Sequence, residues 1–206
     1  MAIPQIEEYD LGSPALSVKN NVSWNIEPSR SLLLVHDMQD FFLAPLPTML
    51  RNTLIKNCES LISWARSHTI PIVYTGQKGD MTPKERGLLY DFWGSGMSAE
   101  PVHTKIASAL SPQPEDYVLK KWRYSAFFSS PLDEIFNRNQ KDQIIICGVY
   151  AQIGILTTAL DAYSRDIEVF LIQDGIADFS CAAHQNMLTY AASCCAAILP
   201  VKEVLK

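Results

Sequence analysis

Several features that would indicate a membrane, secreted or nucleic-acid-binding protein are missing from this chain of 206 residues. No apolar run approaches the roughly 18 residues needed to span a bilayer. The N-terminus is acidic and contains Pro4, so it is atypical of a signal peptide. The net charge is −5, and acidic and basic residues are interspersed without a basic run. This balance argues against nucleic acid and membrane surfaces as partners, and we expect a cytoplasmic protein.

Disulfide and metal-ligand patterns are also absent. The cysteines number five and include no C-x-x-C pair, which predicts reduced core thiols and neither a disulfide framework nor a zinc site. The histidines are scattered, without H-x-H or H-E-x-x-H spacing, so the sequence predicts no metal site. The residues concerned are Cys58, Cys147, Cys181, Cys194 and Cys195, with His36, His68, His103 and His184.

The chain does contain a regular alternation of short apolar runs and longer amphipathic segments. Its length suits one domain with one well-buried core. The predicted strands are Ser31–His36, Pro71–Thr75, Tyr117–Lys120, Gln143–Gly148, Glu168–Gln173 and Ala196–Pro200. The predicted helices are Thr48–Ser67, Pro131–Arg138, Ile153–Ser164 and Ala182–Ser193.

This alternation predicts the fold class. Strands that are continuous apolar runs are typical of a parallel sheet covered on both faces. In the third predicted helix, apolar side chains recur at three- to four-residue spacing, which predicts that this stripe faces the sheet. The stripe consists of Ile153, Leu156, Leu160 and Tyr163. We therefore expect an α/β fold: a single doubly wound, three-layer domain over residues 1–206, with a mostly parallel sheet of about six strands.

Two segments fall outside the alternation. Residues 1–30 are rich in Pro, Asn and Ser, and we expect them to wrap the surface as an N-terminal arm. Residues 76–100 carry Gly, Met, Pro, Trp and charged side chains, which predicts an active-site loop with a short helix near residues 83–90.

Polar residues follow four of the predicted strands. Asp37 ends the first, Gln77 follows the second and Lys121 ends the third, while the fourth leads to Tyr150 and Gly154. In open parallel sheets, ligands bind beyond the carboxyl ends of the strands, near the point where the winding reverses. Because these residues come from four different strands, their convergence at one edge favours a functional site over isolated strand-end polar groups.

Five segments resemble the signature segments of the isochorismatase family, a branch of the cysteine-hydrolase superfamily. They are V-H-D-M-Q (35–39), L-L-Y-D-F-W-G (88–94), K-W-R-Y-S-A-F (121–127), G-V-Y-A (148–151) and A-D-F-S (177–180). The similarity runs from about Ile3 to Leu205. Where the cysteine hydrolases carry their nucleophile, this chain has Gly154, which the resemblance associates with a reaction that forms no covalent intermediate.

The resemblance implies a hydrolase acting on a small anionic substrate, with neither metal nor cofactor. Its members split the enolpyruvyl ether of isochorismate or 2-amino-2-deoxyisochorismate and release pyruvate. A vinyl ether hydrolyses by protonation of its methylene carbon, capture of the oxocarbenium ion by water and collapse of the hemiketal. Such chemistry needs a positioned carboxylic acid, a cavity that excludes bulk water and anchors for two substrate carboxylates.

The resemblance also implies residue roles. Asp37 is the general acid, Lys121 is its partner and a substrate contact, and the backbone N–H of Gly154 holds a polar group of the substrate. The other substrate-binding residues are Gln77, Arg86 and Tyr150, with Phe41, Trp93 and Tyr124 as the apolar wall. Lys121 lowers the pKa of Asp37, whereas an apolar enclosure and a dianionic substrate raise it. We therefore expect Asp37 to become protonated chiefly in the substrate complex.

Several alternatives remain open. Gln152 stands where family members usually carry histidine, and this change either tunes substrate choice or marks a tolerant position. The segment F-L-A-P-L-P (42–47) is more similar to phenazine-pathway members, which use the amino analogue, than to bifunctional siderophore members. Those carry a C-terminal carrier domain, which we do not expect in this chain. The resemblance implies a homodimer.

Two other functions compete with the hydrolase. One is a thiol amidohydrolase that uses Cys147 as a displaced nucleophile, although a thiol inside an apolar strand is expected to be buried and inert. The other is a non-catalytic binding subunit with a degenerate site, against which the joint presence of Asp37, Gln77, Arg86 and Lys121 argues.

Overall fold

A six-stranded, all-parallel sheet forms the centre of the computed structural model, which describes residues 3–206. The strand order is β3-β2-β1-β4-β5-β6, so the winding reverses between β1 and β4. The strands are β1 (Ser31–His36), β2 (Ile72–Gln77), β3 (Tyr117–Lys121), β4 (Gln143–Val149), β5 (Glu168–Ala177) and β6 (Ala197–Leu199). The predicted doubly wound α/β architecture is confirmed.

Helices connect the strands and cover both faces of the sheet. The α-helices within residues 3–206 are α1 (Asp40–Leu43), α2 (Thr48–Ser67), α3 (Pro83–Arg86), α4 (Leu89–Trp93), α5 (Pro101–Thr104), α6 (Leu132–Asn139), α7 (Leu156–Tyr163), α8 (Cys181–Cys194) and α9 (Val201–Val204). Two 3-10 turns, Pro14–Leu16 and Ser108–Leu110, and one π-helical turn, Ala151–Ile155, complete the elements. None of the helices in this part of the chain is long and apolar enough to cross a membrane.

Two apolar cores lie on opposite faces of the sheet because successive strand residues point to opposite sides. Leu33 and Ile145 face a core that includes side chains of α2 and α9. Leu34 and Ile146 face a second core with side chains of α6, α7 and α8. Burying one such side chain contributes about 1.5–3 kcal/mol. Burial on both faces therefore explains why these strands read as continuous apolar runs.

The predicted helix after β4 differs from the observed one in its start and in its buried face. The chain first forms the π-helical turn Ala151–Ile155 and becomes α-helical at Leu156. The predicted sheet-facing stripe is confirmed only in part: Leu156 and Leu160 are half-buried and pack against the second apolar core, whereas Tyr163 is exposed. The fully buried side chains are Ile155, Thr158, Ala159 and Ala162. Small residues on this face let α7 pack close to the sheet, and the larger side chains are left at its flank.

The N-terminal arm is more than the predicted surface wrapping, although residues 1 and 2 of it lie outside the described part. Ile6, Leu11 and Leu16 are buried in the apolar cores. Glu8 Oε1 accepts a hydrogen bond of 2.7 Å from the backbone N–H of Leu50, in the first turn of α2. A carboxylate in that position satisfies a free helix amide and complements the helix dipole. The arm is thus fixed to the domain by apolar side chains and a helix cap.

Candidate active site

A cavity of about 570 Å³ opens at the carboxyl edge of the sheet, beside the point where the winding reverses. This volume lies within the range of small-molecule sites. All nine site residues predicted from the sequence line it: Asp37, Gln77, Lys121, Tyr150, Gly154, Arg86, Phe41, Trp93 and Tyr124. Asp37, Gln77 and Lys121 stand at the ends of β1, β2 and β3. The segment between β2 and α5 supplies Arg86 and Trp93. The predicted active-site loop therefore holds two short helices, α3 and α4, in place of one.

Asp37 forms the polar centre of the cavity. It is buried and has a φ of 51°, a left-handed backbone conformation that is uncommon outside glycine and is typical of strained functional positions. Its Oδ2 accepts a 2.7 Å hydrogen bond from Lys121 Nζ, and its Oδ1 accepts one of 2.7 Å from Thr75 Oγ1. Thr75 Oγ1 also accepts a 3.1 Å bond from the Asp37 N–H. Both carboxylate oxygens are therefore held in place.

The surroundings of Asp37 favour its ionised form. Burial alone would raise the pKa of the carboxyl group. The charge of Lys121 and the proximity of His36, with the hydrogen bonds from Lys121 and Thr75, outweigh burial and hold the pKa below its usual value. Without substrate, Asp37 is a carboxylate at neutral pH.

His36 is a fully buried imidazole beside this carboxylate. Burial lowers its pKa to about 4, so the ring is neutral. Its Nδ1 lies 2.7 Å from the carbonyl oxygen of Val149, which can only accept, so Nδ1 carries the proton and donates. Nε2 is left as a buried acceptor for which no hydrogen-bond partner is found among residues 3–206.

Gly154 is in close contact with this imidazole. A Cβ added to Gly154 would lie 2.3 Å from His36 Cε1 and 3.2 Å from Lys121 Nζ. The first distance is far below van der Waals contact, so any side chain at position 154 would displace His36. The ring thus occupies the space that a nucleophilic side chain at this position would need. Gly148 is a second required glycine, with φ 119° and its missing Cβ 2.1 Å from the His36 carbonyl oxygen.

Arg86 is held in a fixed orientation at the cavity. Its Nε donates to the Gly94 carbonyl at 2.9 Å, and its Nη1 donates to Gln77 Oε1 at 3.1 Å. Gln39 in turn fixes the backbone of Gln77, accepting from its N–H at 2.7 Å and donating to its carbonyl at 3.0 Å. Because α3 begins with a capping box between Thr82 and Glu85, the helix that ends at Arg86 is itself anchored.

Aromatic side chains enclose the rest of the cavity. Trp93 Nε1 donates to the hydroxyl of Tyr124 at 2.9 Å, and the Tyr150 hydroxyl donates to the carbonyl of Phe42. The Phe179 ring lies 4.5 Å from the ring of Tyr150 and 6.0 Å from that of Trp93, centroid to centroid. The indole N–H and both hydroxyl groups thus have hydrogen-bond partners within the protein, and the rings present an apolar surface to a ligand.

Several cavity residues were not predicted from the sequence. His36 was assigned to a strand and to the V-H-D-M-Q segment without a role, and its position next to Asp37 in the sequence is the signal that was available. Thr75, which binds Asp37 but does not line the cavity, was assigned only to a strand end. Phe179 could have been identified from the A-D-F-S segment, whereas His103 and Ile3, which also line the cavity, lie far from any signature. Within the described residues, no group of three or more His, Cys, Asp or Glu is arranged to hold a metal ion.

Two open alternatives from the sequence can be placed in the structure. The side chain of Gln152 is exposed, and its backbone N–H contacts the Asp178 carboxylate. Since the cavity lining does not include it, a tolerant position is favoured over a role in substrate choice. Cys147 is fully buried inside β4 within the apolar core, which argues against its use as a nucleophile.

Comparison with known proteins identifies the family. The family model for the isochorismatase domain matches residues 31–203. The chain is 47% identical to a "Probable isochorismatase" of Pseudomonas chlororaphis, over 98% of both chains. It is 48% identical to "Phenazine biosynthesis protein PhzD1" of Pseudomonas aeruginosa, over 99% of both. The chain therefore belongs to the isochorismatase family, as its signature segments predicted.

The solved structures extend the likeness to the wider fold. A cysteine hydrolase from Pseudomonas syringae pv. phaseolicola 1448A superposes with a TM-score of 0.82, covering 92% of this chain and 97% of that one. Its sequence identity is 23%, so this similarity concerns the fold alone.

Proposed function

We propose that this protein hydrolyses the enolpyruvyl ether of isochorismate or of 2-amino-2-deoxyisochorismate, and that Asp37 is the general acid. The observation that supports this most strongly is a single buried carboxylate, bound by Lys121 and Thr75, facing Gly154 in an aromatic cavity. That arrangement offers an acid without a nucleophile. Membership of the isochorismatase family and the names of the relatives at 47–48% identity support the same reaction.

The reaction proceeds through one proton transfer and one water addition. Asp37 donates its proton to the terminal methylene carbon of the enolpyruvyl group, which becomes a methyl group. The adjacent carbon becomes an oxocarbenium ion, and water adds to it to form a hemiketal. Collapse of the hemiketal releases pyruvate and the ring alcohol, and the proton lost by the water returns to the Asp37 carboxylate. General-acid catalysis of this kind contributes typically 10²–10⁴-fold.

Asp37 takes up its proton when the substrate binds, because binding raises the pKa of its carboxyl group. In the free protein, Lys121 holds the pKa of Asp37 low. A substrate carboxylate that contacts Lys121 adds negative charge beside Asp37 and excludes water, and both changes raise the pKa. The apolar wall of Phe41, Trp93 and Tyr124 strengthens this effect because it lowers the local dielectric response.

Cationic and amide groups are placed to hold the substrate's anionic groups. The guanidinium of Arg86 matches a carboxylate in shape and charge, and Gln77 keeps it oriented. Lys121 Nζ lies 2.7 Å from the Asp37 carboxylate and 3.2 Å from where a Cβ of Gly154 would be. An ether bound between Arg86 and Lys121 has its methylene carbon near the acid, which is the positioning that an efficient proton transfer requires.

The proposal is tested by pyruvate release coupled to lactate dehydrogenase, with isochorismate and 2-amino-2-deoxyisochorismate offered separately. We expect turnover of at least one substrate, insensitive to iodoacetamide because no thiol takes part. The substrate with the higher kcat/KM identifies the reaction. No pyruvate from either substrate, with retained binding of one of them, would instead support the non-catalytic binding subunit.

We further propose a cytoplasmic homodimer. The half-exposed side chains of Leu156 and Leu160 and the exposed ring of Tyr163 leave apolar surface along α7, which suits burial against a second copy. All five cysteines are free thiols, as a reducing compartment requires. Sedimentation equilibrium would give twice the 23.1 kDa chain mass for a dimer, and the chain mass itself would contradict it.

A further inference from the structure

Asp178 is a buried carboxylate that directly follows β5, behind the wall of the cavity. Its Oδ2 accepts a 2.9 Å hydrogen bond from the backbone N–H of Gln152, and its Oδ1 accepts one of 2.8 Å from the N–H of Phe179. Among residues 3–206 it takes part in no ion pair. Backbone amides alone therefore stabilise its charge. A buried charge without a cation costs stability, so Asp178 calls for an explanation other than stabilisation of the fold.

The two amides that Asp178 binds belong to two different parts of the cavity wall. Gln152 lies in the π-helical turn Ala151–Ile155, which contains Gly154. Phe179 packs its ring against Tyr150, at the beginning of the same turn, with centroids 4.5 Å apart. One carboxylate thus joins the turn that presents Gly154 to the aromatic residue that encloses the cavity.

The N-terminal arm is attached at the same point. The Tyr9 hydroxyl accepts a 2.8 Å hydrogen bond from the backbone N–H of Asp178. The same hydroxyl is hydrogen-bonded to His184 Nδ1 at 3.2 Å. Ile3, from the same arm, lines the cavity. The arm, the turn and helix α8 are therefore connected through Asp178.

We propose that Asp178 is a positioning residue of the active site, whose carboxylate clamps the Ala151–Ile155 turn to Phe179 and thereby places the backbone of Gly154 opposite Asp37. Asp178 does not itself line the cavity, and it acts through the two amides. The part of this inference that is measured by turnover rests on the proposed function. The part that is measured by the mobility of the Ala151–Ile155 turn does not depend on the proposed function.

The groups around Asp178 also predict how this clamp responds to pH. The ionisable side chains beside Asp178 are those of Tyr9 and Tyr150, and Cys181 and His184 of α8 lie next to Tyr9. Burial lowers the pKa of His184 to about 4, so it stays neutral near pH 6. Burial raises the pKa of Asp178 to about 6, against the lowering effect of the Phe179 and Gln152 amides. Below that pH the carboxyl group is neutral, its oxygens accept more weakly from the two amides than those of a carboxylate, and the clamp weakens.

Asp178→Asn tests the clamp, because the asparagine has the same shape but turns an NH₂ group towards one backbone N–H. Asp174→Asn is the matched control: Asp174 lies on β5, which ends just before Asp178, and its Oδ1 accepts from the Val201 N–H at 2.7 Å, at the start of α9 and away from the cavity. Amide hydrogen exchange of residues 151–155 and the KM and kcat of pyruvate release are measured for both variants, between pH 5 and pH 8.

We expect Asp178→Asn to speed exchange in residues 151–155 at least tenfold and to raise KM at least tenfold at pH 7.5. We expect Asp174→Asn to leave that exchange unchanged and KM within twofold. The KM of the wild type should rise below pH 6, and this rise should be absent from Asp178→Asn. Unchanged exchange in the turn, or an equal effect of the two variants on KM, would overturn the inference.

The hydrogen-exchange measurement tests the clamp even without turnover, and a second variant tests it if Asp178→Asn does not fold. If the wild type turns over neither substrate, the proposed function fails, and the exchange comparison alone still decides whether Asp178 clamps the turn. If Asp178→Asn does not fold, Tyr9→Phe replaces it, since this change removes only the hydroxyl that accepts from the Asp178 N–H. Faster exchange at residues 151–155 in Tyr9→Phe supports the clamp, and unchanged exchange contradicts it.

Discussion

At the scale of single residues, the close approach of Gly154 to His36 constrains the site. A Cβ at position 154 would lie 2.3 Å from His36 Cε1, so the buried imidazole would have to leave its position and its hydrogen bond with the Val149 carbonyl. Overpacking of this kind costs about 1–3 kcal/mol. We expect Gly154→Ala to lower kcat/KM at least ~100-fold, because displacement of His36 and Lys121 misplaces Asp37.

Gly12→Ala is the control for this substitution, since a Cβ there meets Asp10 Oδ1 at an ordinary 3.4 Å. We expect its kcat/KM to match that of the wild type. For the same steric reason, Gly154→Cys should not produce thiol chemistry unless His36 is also replaced by a smaller residue. A Gly154→Ala variant with wild-type kcat/KM would show that the contact is unimportant.

Thr75 gives a second prediction at this scale. Its hydroxyl donates to Asp37 Oδ1 and favours the carboxylate form, so Thr75→Val raises the pKa of Asp37 in the free protein. Catalysis needs the protonated form, and the pH dependence of kcat/KM reports the free enzyme. The alkaline limb of kcat/KM should therefore move to higher pH in Thr75→Val. An unmoved limb, or one at lower pH, would contradict the role of Asp37 as the acid.

The sequence identified the polar site residues for a topological reason. Asp37, Gln77 and Lys121 stand at the ends of apolar runs, and the carboxyl ends of parallel strands meet at one edge of a sheet. His36 and Asp178 could not be assigned in the same way. The role of each follows from hydrogen bonds to backbone groups more than 20 residues away in the chain, with Val149 and Gln152, and such contacts leave no periodic pattern in the sequence.

At the scale of elements, the short helix α3 holds Arg86 in place. The Thr82 hydroxyl accepts from the Glu85 N–H at 3.3 Å, and the Glu85 carboxylate accepts from the Thr82 N–H at 2.8 Å. Loss of such a cap costs about 1 kcal/mol. We expect Thr82→Ala to raise KM several-fold with a smaller effect on kcat, because the proposed role of Arg86 is to bind the substrate and not to transfer the proton.

Lys84→Ala, an exposed change in the same helix, is the control and should leave KM unchanged. Steady-state pyruvate release with both variants is sufficient for the comparison. Equal KM values for Thr82→Ala and the wild type would mean that α3 does not need its cap to place Arg86.

Elements with strong apolar periodicity were predicted more faithfully than the segment next to the site. All six strands and α2 agree with their predicted positions to within a few residues. The chain after β4 departs from the predicted helix because a π-helical turn at Ala151–Ile155 precedes α7. The apolar pattern also did not show that the small side chains of Thr158, Ala159 and Ala162 form the fully buried face of α7, which leaves Leu156 and Leu160 at its edge and Tyr163 exposed.

At the scale of the whole molecule, buried ionisable groups predict how stability depends on pH. Burial lowers the pKa values of His36 and His184 to about 4, below the unfolded value of about 6.5. Between these pH values the unfolded chain binds two protons that the native protein does not. Asp178 has the opposite effect on the pH dependence of stability. Burial raises its pKa to about 6, so as the pH falls the native protein binds this proton before the unfolded chain does.

The balance between pH 6 and pH 5 is one extra proton on the unfolded chain. As the pH is lowered through this range, the free energy of unfolding should therefore fall by up to about 1.4 kcal/mol per pH unit. Urea unfolding at pH 7, 6 and 5 measures the slope, and His184→Gln should flatten it. A midpoint that is constant or rises as the pH falls would contradict the neutral, buried state of the two histidines.

The central claim is that Asp37 delivers the proton that begins ether hydrolysis, and the most direct measurement is pyruvate release at saturating substrate by the wild type and by Asp37→Asn. Asparagine preserves the shape of the side chain and cannot donate the proton as an acid, so kcat should fall by about 10²–10⁴-fold. Asp91→Asn, an exposed change on α4, should retain wild-type kcat. An Asp37→Asn variant that keeps kcat within tenfold of the wild type would show that another group is the acid.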